Sequence, residues 1–99
     1  MDIKHQRGLY SEMIAAAELT RQGHEVLFNM ADNGLVDLVA INATTGDITL
    51  YDVKTKSYRK DGSMIHRCTN SKQKKLGVKI YYVDRFDMEN TNEHCDALR

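Results

Sequence analysis

The sequence predicts an α/β (α+β) domain with a central mixed β-sheet flanked by helices. Three observations predict it. A long helical period opens the chain, three short strand-like runs follow it, and a second, shorter helix precedes a last strand rich in β-branched and aromatic residues. A length of 99 residues, 41% hydrophobic and 28% charged, suits one globular domain spanning 1–99 and excludes two.

From Arg7 to Gln22, Leu9, Met13, Ala16 and Ala17, with Ile14 and Leu19, recur at three- and four-residue spacing, and Gly23 follows as a stop. Val26-Leu27-Phe28 reads as a short strand, and Asn29 to Gly34 as a turn-rich connection. Leu35 to Ile41 is apolar except at Asp37. A polar turn from Asn42 to Asp47 joins it to Ile48–Lys54, which makes an antiparallel hairpin. Asp61-Gly62 can close a second, more exposed hairpin between Ser57–Lys60 and Ser63–His66. Asn70 or Ser71 caps a two-turn helix through Leu76, Gly77 ends it, and Val78–Val83 is a strand in which one of Tyr81 and Tyr82 is expected inside and the other outside. The segment 84–99 is a polar tail, expected to fray or to join an oligomer interface.

No run approaches the ~20 apolar residues of a membrane span, and Met1–Arg7 lacks the apolar block of a signal peptide, so a cytoplasmic location is expected. Cys68 and Cys95 fit no paired-ligand zinc spacing, and a structural disulfide is not expected. Formal net charge is zero, but the charge is segregated. Residues 1–53 carry three basic and eight acidic groups, 54–79 nine and one, and 80–99 two and five, giving −5, +8 and −3. The middle block has either the footprint of a surface that meets phosphate or simply a solvated lysine-rich face.

Asp37 and Asp52 stand inside the two most apolar runs. A buried carboxylate costs several kcal/mol unless it is paired or bound to a metal, so the repetition suggests a ligand. On a strand, residues two apart share a face, which sends Asp52 and Lys54 the same way, and the hairpin brings Asp37 within reach. Carboxylates of this kind bind Mg²⁺, and a neighbouring lysine can orient a nucleophilic water, which is the chemistry of phosphodiester hydrolysis. Glu12 falls on the helix side with Ala16 and Leu19, away from Glu18, Arg21 and Gln22, and can point in over the sheet. Each residue also has a plainer reading: Asp37 ending a ladder or accepting backbone hydrogen bonds, Asp52 and Lys54 forming one salt bridge, Glu12 as a helix-surface charge.

Asp37, fourteen intervening residues and then Asp52-Val53-Lys54 resemble the PD-(D/E)XK nuclease signature, with Val36 where the motif's name has proline. Gly8-Leu9-Tyr10-Ser11-Glu12, Gly23, Val36–Ala40 and Asp52–Thr55 are similar to archaeal Holliday-junction resolvases and to small phage and intron-encoded endonucleases of that superfamily. The resemblance implies a restriction-endonuclease-like core. Asp37, Asp52 and the Val53 carbonyl would bind Mg²⁺, with Mn²⁺ as substitute; Glu12 would be an auxiliary ligand and Lys54 would stand at the nucleophilic water. Gln73 falls where many members carry a polar helix residue near the site. Arg59, Lys60, Arg67, Lys72, Gln73, Lys74 and Lys75 are the expected nucleic-acid contacts. The expectation is a Mg²⁺-dependent DNA endonuclease acting on branched or duplex DNA as a homodimer or higher homo-oligomer, in a bacterial or phage-infected cell. The alternative is a non-catalytic DNA-binding or assembly module on the same fold. The small core of so short a chain is a further reason to expect oligomers.

Overall fold

The computed structural model describes residues 3–31 and 34–85. The expectations placed on the segment 84–99 lie almost wholly outside them. The chain runs α1 (Ile3–Arg21), β1 (His24–Phe28), β2 (Leu38–Asn42), β3 (Ile48–Thr55), α2 (Ser71–Leu76) and β4 (Lys79–Val83). The four strands form one mixed sheet in the order β1-β2-β3-β4. The first two pairings are antiparallel and β3/β4 is parallel. This is the expected α+β architecture.

The β2–β3 turn follows its chemistry. Asn42 Oδ1 accepts from the N–H groups of Thr44 and Thr45, and Gly46 takes φ 78°, where a Cβ would be strained. At α2, Asn70 caps as expected. Its side chain accepts from Gln73 N while the Gln73 side chain accepts from Asn70 N, a reciprocal capping box. Gly77 closes the helix at φ 75°. The second hairpin forms as one isolated bridge, Tyr58 to Met64, with Arg59 N donating to Ser63 O and Asp61 Oδ1 accepting from Ser63 N and Oγ.

The buried face of α1 differs from the one its large apolar residues predict. Ser11, Ala15, Ala16 and Leu19 are buried, while Leu9 and Met13 are half exposed and Ala17 is exposed. Small side chains let the helix lie close to the sheet. There Ser11 Oγ and Thr55 Oγ1 share a hydrogen bond of 2.6 Å, and Tyr81 Oη donates to Glu18 Oε2 at 2.5 Å. Glu18, grouped with the solvent-facing positions by spacing, thus joins helix to sheet. Ala15, Ala16 and Leu19 pack with Leu38, Ala40, Val53 and Val83, fringed by Ile14, Val26, Tyr51 and Tyr81. The Tyr51 and Tyr81 rings meet edge to face, centroids 5.3 Å apart at 84°. Tyr82 does not present a free outer ring: it is half-buried, and its hydroxyl accepts from Arg67 N at 2.8 Å. Leu19 and Leu38 are the largest wholly buried side chains among the described residues. Truncating either to Ala costs ~2–5 kcal/mol, a large share of what a domain of this size holds in reserve.

Because Tyr51 and Val53 face α1, the alternating Leu50, Asp52 and Lys54 face the other side of the sheet. On that side the α2 segment covers only the β3/β4 end, where Gln73 reaches Asp52 and Arg67 reaches Tyr82. The two acidic positions sit under this partial cover.

Candidate active site

Asp37 stands just before β2 rather than inside the strand predicted over Leu35–Ile41. Its backbone still holds to the sheet, its N–H donating to Tyr51 O at 2.8 Å and its C=O accepting from Asn29 N. The side chain then does what the next backbone carbonyl would have done: Oδ2 accepts from Val53 N at 2.7 Å. With that acceptor replaced, the preceding chain leaves the ladder, and Val36 O turns instead to Asn29 Nδ2. The carboxylate both ends the strand and is aimed at β3.

On β3, Asp52 is 7% exposed. Its Oδ2 accepts from Gln73 Nε2 at 3.1 Å, and its Oδ1 lies 3.4 Å from Lys54 Nζ. The Asp37 and Asp52 carboxyl groups line the same cleft. Burial pushes the Asp37 carboxyl above its ordinary range; the Val53 N–H opposes this, the adjoining Asp52 adds to it, and the Lys54 charge pulls it back. Lys54 thus pairs with Asp52 directly and acts on Asp37 only through its field. The plainer readings of Asp37 as a ladder-ending acceptor and of Asp52 with Lys54 as an ion pair are both realised in the geometry, and they are what brings the three side chains together.

These groups line an open cleft of ≈ 470 Å³, and Glu12 of α1 and Arg67 of the β3–α2 connection line it too. Glu12 stands on the wall of the cleft apart from the pair, and among the described residues no three of His, Cys, Asp and Glu are gathered into one group. The two acids nonetheless suit Mg²⁺, which takes one or two carboxylates from a protein and keeps its own waters. Gln73 departs from the lysines with which the sequence grouped it. It is buried with its amide committed inside the protein, while Lys72, Lys74 and Lys75 on the same helix are exposed, as are Arg59 and Lys60 in the second hairpin. The resemblance placed Gln73 near the site; what the sequence reading did not give is its bond to Asp52 and its separation from the phosphate-facing lysines. Cys68 also lines the cleft, exposed and as a free thiol.

A mixed sheet with α1 across one face, and an acidic pair with its lysine at the edge of a hairpin on the other, define a restriction-endonuclease-like domain. The chain belongs to the Uncharacterised protein family UPF0102, whose profile matches residues 11–89; this family lies within the PD-(D/E)XK superfamily and is nuclease-like. Searches of curated proteins and of solved structures returned no match. No helix among the described residues is long and apolar enough to cross a membrane.

Proposed function

We propose that the protein is a metal-dependent endonuclease that hydrolyses DNA phosphodiester bonds. The observation that carries this reading is the convergence of Asp37, Asp52 and Lys54 on the wall of one open cleft. Asp37, Asp52 and the Val53 carbonyl would hold Mg²⁺ or Mn²⁺, with Glu12 across the cleft as an auxiliary ligand that acts through the ion's own waters. A bound ion supplies Lewis acidity at the phosphoryl oxygen and a water of lowered pKa. Lys54 Nζ, steadied by Asp52 Oδ1, offers its remaining N–H donors to the attacking water or to the scissile phosphate. Gln73 and Val53 N hold the two carboxylates in place with bonds that need no rearrangement when substrate arrives. Arg67 on the cleft wall, with Lys72, Lys74, Lys75, Arg59 and Lys60 beyond it, supplies phosphate contacts that position the strand without reading its sequence. Branched DNA is an expected substrate by the resemblance to Holliday-junction resolvases and small phage endonucleases. Cutting two strands calls for two sites, which a homodimer related by a two-fold axis provides.

The test is cleavage of a panel of end-labelled branched and linear DNA, with Mg²⁺ and with EDTA. Mg²⁺-dependent products are expected. Binding without cleavage under every metal condition would replace this reading with that of a non-catalytic nuclease-fold module.

A further inference from the structure

The geometry points to Gln73 as the positioning residue of Asp52, the link that ties the short basic helix to the acidic pair. The inference rests on the proposed metal-dependent reaction and concerns which residue sets its geometry. Gln73 is 7% exposed although its neighbours Lys72 and Lys74 are in water. Its side-chain amide is fully used. Nε2 donates to Leu35 O at 2.9 Å and to Asp52 Oδ2 at 3.1 Å, and Oε1 accepts from Asn70 N at 2.9 Å. With two acceptors on one side and an N–H on the other, only one orientation of the amide satisfies all three.

Capping does not require this arrangement. The capping box of α2 needs only the Gln73 backbone N–H and Oε1, and an amide doing no more than that can leave its NH₂ in water. Here the NH₂ is buried between two pieces of the site. Leu35 lies on the segment that leads into Asp37, and Asp52 lies on β3. One side chain therefore fixes the spacing of the two acidic segments and holds α2, with its three lysines, at a set distance from them. Asp52 is gripped on both oxygens, Oδ2 by Gln73 and Oδ1 by Lys54. Partners of this kind set the orientation of a metal-binding carboxylate, and their loss costs ~10–100-fold in metal affinity.

The experiment is a Mn²⁺ titration by calorimetry on the full chain without nucleic acid, paired with thermal melts, for the wild type, Gln73→Met and Asn70→Ala. Gln73→Met keeps the volume and removes both polar ends. Asn70→Ala removes the capping oxygen and leaves the Gln73 amide bonds intact. Both should lower Tm, but only Gln73→Met should weaken Mn²⁺ binding, by ~10-fold or more. Binding by Gln73→Met within about twofold of wild type, or an equal loss in Asn70→Ala, would overturn the inference, the latter because helix stability alone would then account for the effect. A second measurement needs no variant: in the wild type, the Gln73 side-chain NH₂ resonances should shift with Mg²⁺ and saturate with the affinity of the site, and resonances that do not respond also overturn the inference. Absence of Mn²⁺ binding by the wild type would sink the metal-dependent function together with the role of Gln73. Normal wild-type binding with an unaffected Gln73→Met would sink the role alone.

Discussion

Asp37 has both a chemical and a structural task, so the choice of substitution decides what is measured. Asp37→Asn keeps an oxygen for Val53 N, whereas Asp37→Ala leaves that N–H without its acceptor, a loss of ~1–3 kcal/mol. Both variants should lose ~100-fold or more in cleavage, since even second-layer partners of a metal ligand are worth ~10–100-fold. In melting experiments Asp37→Ala should unfold at lower temperature than Asp37→Asn, and equal Tm values would deny the structural task. Asp52→Ala and Lys54→Ala should also lose ~100-fold or more in rate, whereas Glu12→Gln, at a position water can fill, should lose only about tenfold. Wild-type activity in any of the first three would refute the site. Tyr81 offers a readout away from the chemistry. Burial, with the Glu18 hydrogen bond next, pushes its phenol from the ordinary 10 up to about 12. A raised folded pKa means that the folded chain holds the proton more tightly, so this contribution to stability is fully present below pH 10 and is lost as pH rises through about 12. The gap in Tm between wild type and Tyr81→Phe should be constant up to pH 10 and shrink above it; a gap that persists undiminished would contradict the assignment.

At the scale of elements, α2 carries two populations of side chain. Gln73 is buried, and Lys72, Lys74 and Lys75 are exposed. If the lysines meet phosphate, the triple neutral variant should reduce the slope of log affinity against log salt by about 0.9 for each phosphate no longer neutralised, while leaving Mn²⁺ binding unchanged. An unaltered slope would make them a solvated face. The same helix shows what could and could not be read from the sequence. Asp37 and Asp52 were legible because a charge in an apolar run is an anomaly with few physical explanations, and Asn70 and Gly77 because caps have a local chemistry. The burial of Gln73 was legible only through the family resemblance, since by pattern a polar residue between lysines carries no mark of it. On α1, hydrophobic spacing pointed to Leu9 and Met13, yet close approach to the sheet favours Ser11 and Ala15, and periodicity counts apolar residues without weighing their size. The early end of β2 was hidden for another reason: a side-chain oxygen standing in for a backbone carbonyl has no pattern in sequence.

The whole molecule is lopsided. One sheet face lies under α1; the other, beyond the reach of α2, carries Leu27, Val39 and Leu50 in one cross-strand row and Glu25, Ile41 and Ile48 in the next, with Leu27 54% and Ile48 65% exposed. This patch shares its face of β3 with Asp52 and Lys54, and a second copy of the chain covering it would put the two sites that the proposed cleavage of two strands needs into one assembly. Light scattering at micromolar concentration should give at least twice the 11.3 kDa chain mass, and Leu27→Glu with Ile48→Glu should reduce it to one chain. A monomer that still cuts both strands at the wild-type rate would exclude the dimer and indicate a nicking enzyme acting twice.

The parallel pairing of β3 with β4 also dictates an order of assembly. β1, β2 and β3 meet through short turns, but Tyr51 pairs with Lys79 only after the second hairpin and α2 have been gathered between them, a loop whose closure is slower than that of a hairpin. The two carboxylates are thus expected to meet before the amide and the tyrosine that complete their surroundings. In pulse-labelled hydrogen exchange during refolding, the Val53 amide, bonded to Asp37, should gain protection before the Arg67 amide, which waits for the Tyr82 hydroxyl. If the acidic pair takes a metal as proposed, Mg²⁺ present during refolding should therefore speed the passage to the native state, and a refolding rate indifferent to Mg²⁺ would deny that the pair forms first.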